Sequence, residues 1–271
     1  MMSGLALFGL TLGSALLPAG GAGPRVAAHR GGALLWLENS LAAYRNALAL
    51  GVDDVETDVH LTADGEVVVL HDATLDRTTS GTGAVGRTRR ADLLQWRLRA
   101  PDGSLTEEPI PALGDLLEIV APSRAGLLLE IKVDERGRRY PGIEERVLAL
   151  LGEHGLARRT LIMAFEPATL RRVRDLDATV RTVLLVERGG VGCERVAPGA
   201  TVARAVDLGA AAVGVDHRLI DVAMATAARR ARLLLAAWTV NAEADLRRAI
   251  GLGVDIVISD RPDLALRVVG R

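Results

Sequence analysis

The stretch Asp54-Val55-Glu56-Thr57-Asp58-Val59-His60-Leu61-Thr62-Ala63-Asp64-Gly65-Glu66-Val67-Val68-Val69-Leu70-His71 decides how this chain folds. It reads as two strands, Asp54–Leu61 and Val67–His71, joined by Thr62-Ala63-Asp64-Gly65. Parallel neighbours need a crossover of about a dozen residues or more, so a link this short predicts a hairpin. Seven further strand-like runs follow the same logic: Arg25–His29, Leu127–Lys132, Thr160–Phe165, Thr182–Glu187, Ala212–Asp216, Leu233–Val240 and Asp255–Ser259. Amphipathic stretches separate most of them: Ser40–Leu50, Leu113–Val120, Ile143–His154, Pro167–Leu176, Val202–Leu208, Ile220–Ala231 and Ala242–Leu252. Nine strands are one too many for an eight-stranded α/β barrel. If Val67–His71 is only the return arm of a hairpin, eight remain to close the barrel, with active groups at its C-terminal rim. No low-complexity linker divides the chain, so residues 25–271 read as one domain.

The bulk composition sets outer limits. Apolar residues make up 49% and charged residues 25% of the 271 positions, which excludes a disordered chain. A formal net charge of −1 and the lack of a basic block point away from nucleic acid. The basic residues are arginine with a single exception, Lys132, which suggests a position that wants a compact ammonium. Cys193 is the one cysteine, so no intramolecular disulfide can form. Leu5 to Leu17 is mostly apolar and is followed by small residues, as before a signal-peptidase site, but no Lys or Arg precedes Arg25. Residues 1–24 therefore read equally as an export signal or an incidental extension, and cytoplasmic and exported locations stay open. The run is short for a membrane helix, so no stable span is expected.

The chemistry-bearing residues gather at strand ends. Residues two apart on a strand share a face, so Glu56 points with Asp58, and Glu130 with Lys132. An isolated Glu-x-Asp reads more easily as a rim pair held by arginines. A third carboxylate on a separate strand end shifts the balance toward a metal, because crowded carboxylates need a cation among them. Oxygen ligands alone suit Mg²⁺ or Ca²⁺. His29 ends the first strand and is followed by Arg30-Gly31-Gly32, where glycine allows close backbone approach and Arg30 offers a forked donor for phosphate oxygens. The hairpin would bring His71 to the level of Asp58. Two imidazoles at one rim supply an acid and a base near neutral pH. The three carboxylates outnumber Arg30 and Lys132 by one, and a bound phosphodiester adds another negative charge, so a divalent cation would bring the set to neutrality. His60 reads equally as a wall of the site or as a hairpin residue above it. The run Arg171-Arg172-Val173-Arg174 reads as solvated helix surface.

In order along the chain stand His29-Arg30-Gly31, Glu38-Asn39-Ser40, Glu56-Thr57-Asp58, His71-Asp72, Glu130-Ile131-Lys132, Trp238-Thr239-Val240-Asn241 and Ser259-Asp260-Arg261-Pro262. Together they resemble the glycerophosphodiester phosphodiesterase family. The resemblance spans residues 25–262 and implies a TIM (β/α)8 barrel that hydrolyses glycerophosphodiesters to sn-glycerol 3-phosphate and an alcohol. It further implies Glu56, Asp58 and Glu130 as ligands of Mg²⁺ or Ca²⁺, and His29 and His71 as the acid–base pair. Arg30 and Lys132 would hold the phosphate, Glu38 would sit close to the metal and the substrate hydroxyls, and Trp238 would wall the glycerol. Whether water or a glycerol hydroxyl attacks first stays open. The chain departs from the pattern at Leu37, where the family has proline, at Ser40 in place of threonine, and at Ala164, where serine is frequent. The apolar loop Ala33-Leu34-Leu35-Trp36-Leu37 suits a packed lid or an acyl chain, the latter favouring a phospholipase-D-like action on lysophospholipids. A silent barrel that binds phosphorylated ligands is the reading from another class.

Overall fold

The computed structural model describes residues 23–187 and 197–271. Residues 1–22, nearly all of the N-terminal extension, and Cys193 lie outside the described residues. The strands in chain order are β1 (Arg25–Ala28), β2 (Asp54–Leu61), β3 (Val67–Val69), β4 (Arg97–Arg99), β5 (Leu105–Pro109), β6 (Gly126–Ile131), β7 (Thr160–Ala164), β8 (Arg181–Val186), β9 (Ala212–Asp216), β10 (Leu234–Trp238) and β11 (Ile256–Ser259). The helices are α1 (Leu41–Leu50), α2 (Arg90–Leu93), α3 (Leu113–Val120), α4 (Ile143–Glu153), α5 (Pro167–Leu176), α6 (Pro198–Asp207), α7 (Val222–Arg230), α8 (Glu243–Leu252) and α9 (Pro262–Val268).

Strands β1, β2 and β6 to β11 pair in parallel, and β1 bonds both β11 and β2, which closes the ring of eight. The expected hairpin is present: β3 runs antiparallel to β2, with Val59 opposite Val69 and Leu61 opposite Val67. Its turn works because Gly65 adopts φ +85° and Thr62 Oγ1 donates to Asp64 Oδ1 at 2.7 Å. The last bond of the hairpin, Leu70 N–H to Asp58 O at 3.1 Å, delivers His71 beside the carboxylate strand.

Alternate strand residues face opposite ways, and both faces are buried. Ala27, Leu128, Leu161, Met163, Val183, Leu185, Ala236 and Ile258 fill the barrel. Val26, Val55, Leu127, Leu129, Ile162, Val213 and Val257 pack under the helices. Such strands read as unbroken apolar runs, as they do in the sequence. Helix α3 shows the complementary pattern, burying Leu113, Leu116, Leu117 and Val120. Ser40 caps α1, its Oγ accepting from Ala43 N–H at 3.1 Å, so serine does there what threonine could do.

Some boundaries differ from the sequence reading. His29 opens a tight turn rather than ending β1, and the sixth helix starts at Pro198 rather than Val202. The small sheet β4–β5 and helices α2 and α9 carry no strong periodic signal and were not expected. Among the described residues no helix is long and apolar enough to cross a membrane.

Candidate active site

Inward-facing residues of β2 and β6 meet at the C-terminal rim because the two strands are in register, Asp58 opposite Glu130. Glu56, Asp58 and Glu130 are buried, and each offers an oxygen within 4.8 Å of the others. Lys132 Nζ lies 2.7 Å from Glu130 Oε1 and 2.9 Å from Asp58 Oδ1, and Arg30 Nε stands 3.5 Å from Asp58 Oδ2. Burial would raise the Asp58 pKa, but Lys132, His71 and Arg30 together hold it well below the carboxylate range. Burial raises Glu130 in spite of Lys132, with Asp58 adding to the rise. Glu56 receives the Arg30 backbone N–H at 2.8 Å and approaches His29 Nε2 at 4.0 Å. Burial and the neighbouring Asp58 charge push its pKa up. A buried carboxylate trio short of one cation is the environment a hard divalent ion would complete.

Both imidazoles are backed by aspartate. His29 Nδ1 bonds Asp260 Oδ1 at 2.6 Å, and Asn241 Nδ2 donates to Asp260 Oδ2 at 2.7 Å. His71 Nδ1 bonds Asp72 Oδ1 at 2.6 Å, and Arg77 Nε donates to Asp72 Oδ2 at 2.6 Å. Holding Nδ1 fixes the ring and leaves Nε2 for chemistry. Burial works against a protonated His29, but Glu56 and Asp260 raise its pKa. Burial lowers that of His71 although Asp58 opposes it.

Arg30 takes φ +50°, a costly conformation without glycine, and its N–H bond to Glu56 helps secure it. Next to it Gly31, at φ +81°, leaves no room for a side chain, since a Cβ would stand 2.8 Å from that of Ala43. Asn39 Nδ2 donates to Asp58 Oδ2 at 3.1 Å, and the Tyr44 hydroxyl bridges Asn39 Oδ1 and Thr57 Oγ1 at 2.7 Å each. Tyr44→Phe is expected to strand these buried groups and lower stability by about 1–3 kcal/mol, read from urea unfolding; an unchanged midpoint would remove this brace from the account.

A cavity of about 150 Å³ opens over the carboxylates. His29, Arg30, Glu56, His71, Glu130, Lys132, Glu187 and Thr239 form its polar half, and Met163, Phe165, Leu185, Trp238 and Ile258 its apolar half. Phe165 and Trp238 meet edge to face at 5.6 Å. Asp58 lies against this wall through Lys132 and Arg30. Glu38 is not part of the wall; it is held by Arg30 Nη1 at 3.1 Å and Arg77 Nη1 at 2.9 Å. Seven of the nine expected site residues thus line one cavity, with Asp58 in contact and Glu38 one residue removed. Sequence reasoning gave no role to Asp72, Asn241 or Asp260, although each stood inside a quoted motif. Arg77, Met163, Leu185 and Ile258 gave no signal.

Residues 29–264 match the Glycerophosphoryl diester phosphodiesterase family. A glycerophosphodiester phosphodiesterase of Caldanaerobacter subterraneus subsp. tengcongensis is 31% identical over 247 residues, covering 90% of this chain and 97% of the relative. One from Bacillus subtilis is 31% identical over 264 residues, covering 89% and 85%. A solved phosphodiesterase of Oleispira antarctica, in complex with the product sn-glycerol-3-phosphate, is 27% identical with a TM-score of 0.76, covering 92% of this chain and 98% of that one.

Proposed function

The chain belongs to the glycerophosphoryl diester phosphodiesterase family and is a phosphoric diester hydrolase, and from that premise we propose that it hydrolyses glycerophosphodiesters to sn-glycerol 3-phosphate and an alcohol by metal-dependent histidine acid–base catalysis. The observation that carries this reading is one cavity walled by two aspartate-backed imidazoles, two cations and a cation-deficient set of buried carboxylates. Residues 25–271 are the catalytic domain in this reading.

Glu56, Asp58 and Glu130 are the residues that would hold Mg²⁺ or Ca²⁺, and their all-oxygen donor set fits either ion. When bound, such an ion supplies positive charge against the developing charge on the phosphoryl group. Arg30 and Lys132 provide guanidinium and ammonium donors to the phosphate oxygens. Of the two imidazoles, one removes the proton of the attacking hydroxyl, and the other protonates the departing alcohol oxygen. Asp72 and Asp260 keep each Nδ1 protonated, so each Nε2 is the exchanging atom. Trp238 and Phe165 give the carbon face of glycerol an apolar wall and leave its hydroxyls to the polar half.

The cavity, open at its mouth, sets the size of the substrate end that it holds. About 150 Å³ is the volume of a site that admits a benzene-sized group, which suits the glycerol phosphate end of a small diester. The experiment is to compare turnover of glycerophosphocholine and lysophosphatidylcholine by the purified protein with Mg²⁺ or Ca²⁺. Release of sn-glycerol 3-phosphate from the first, at a rate at least about tenfold above turnover of the second, is expected. Faster turnover of the lysophospholipid would establish the phospholipase-D-like alternative, and binding without turnover of either would establish the silent barrel.

A further inference from the structure

We propose that His60 and Tyr140 are positioning residues for His71, forming a buried bracket that fixes the backbone from which that imidazole projects. This inference rests on the reading of His71 as an acid–base residue. His60 shares the inward face of β2 with Glu56 and Asp58, yet it forms no part of the cavity wall. Its ring is 1% exposed, and a buried imidazole is costly unless both nitrogens find partners. Both do.

His60 Nε2 lies 3.1 Å from the backbone oxygen of His71. A carbonyl only accepts, so this nitrogen carries the proton. His60 Nδ1 lies 2.9 Å from the Tyr140 hydroxyl, which then donates to it. The two rings meet edge to face at 5.7 Å. Tyr140 is itself fixed from behind, because Gly86 offers no side chain where a Cβ would stand 2.7 Å from the Tyr140 ring.

The position of this bracket explains its use. The β2–β3 ladder makes its last bond at Leu70 N–H, so the His71 carbonyl has no strand partner. His60 supplies the missing donor just where the chain leaves the sheet. Asp72 then fixes the ring and His60 the backbone, so two independent anchors define the site of Nε2. Displacing a reacting group by about 1 Å costs on the order of 10²-fold in rate.

The test uses His60→Leu, His60→Gln, Tyr140→Phe and His71→Ala in the full chain with glycerophosphocholine. His60→Leu is expected to lower kcat by about 10- to 100-fold with KM within about twofold. Glutamine keeps an N–H near the position of Nε2, and His60→Gln is expected to recover most of that loss. Tyr140→Phe should fall between them. Nitrogen-15 spectra of the histidine rings should show the His71 signals moved in His60→Leu and those of His29 unmoved. Wild-type kcat in folded His60→Leu, or equal losses in His60→Leu and His60→Gln, would overturn the bracket. If His60→Leu does not fold, wild-type kcat and unmoved His71 signals in Tyr140→Phe would overturn it instead. Full activity in His71→Ala would defeat the underlying reading of His71 rather than the bracket alone.

Discussion

His71→Ala is expected to lower kcat by on the order of 10³, with KM changed by no more than about threefold. A positioned acid or base contributes about 10²–10⁴ in rate, and the loss falls on the chemical step rather than on binding. The expectation is specific to this imidazole. Its Nδ1 is held by Asp72 at 2.6 Å, Asp72 is in turn clamped by Arg77, and the ring borders the cavity beside Lys132. His29→Ala should cost a similar factor, since Asp260 backs that ring in the same way. The two losses should not add, because a proton removed at one oxygen and delivered at another belongs to one sequence. Steady-state kinetics on both single variants and the double variant would check this. Wild-type kcat in either single variant would remove that histidine from the mechanism.

Chelation is expected to have an effect at least as large. EDTA should reduce turnover by on the order of 10³ or more, and added Mg²⁺ or Ca²⁺ should restore it, since charge stabilisation by such an ion is worth several kcal/mol. The argument is one of charge. Among the described residues, Asp58 and Glu130 share the Lys132 ammonium, while no Lys or Arg side chain reaches Glu56 within 4.0 Å. Burial and the Asp58 charge leave Glu56 with its pKa pushed upward, and a divalent cation would relieve that repulsion. Glu56→Gln should accordingly raise the metal concentration needed for half-maximal activity well beyond that of the parent. Isothermal titration with each ion would measure the affinity directly. Full activity after exhaustive chelation would exclude the carboxylate trio from a metal role.

Much of the fold was legible because it depends on short-range rules. The link Thr62 to Gly65 was too short for a crossover, which made Val67–His71 the arm of a hairpin and left eight strands for the ring. The polar half of the site was legible for a related reason: Glu56, Asp58, Glu130 and Lys132 interrupt apolar strands where charge is expensive. The apolar half was not. Met163, Leu185 and Ile258 look like every other core residue, since strands buried on both faces lose the alternation that would mark which side chains face the cavity. The sheet β4–β5 was missed because its strands are short and mostly polar, with Leu98 the one buried side chain between them, so the sequence shows too little apolar alternation to mark them. The Glu38 contacts to Arg30 and Arg77 were not legible, because they depend on loop packing rather than on spacing. His60 was ambiguous for the same reason: its partners, Tyr140 and the His71 carbonyl, lie 80 and 11 residues away.

The most direct test of the central claim is a phosphorus-31 spectrum of glycerophosphocholine incubated with the purified protein, with divalent cation and after chelation. The account predicts that the diester signal gives way to that of sn-glycerol 3-phosphate only when the cation is present. A spectrum that stays diester under both Mg²⁺ and Ca²⁺, or that yields phosphocholine in place of sn-glycerol 3-phosphate, would contradict it.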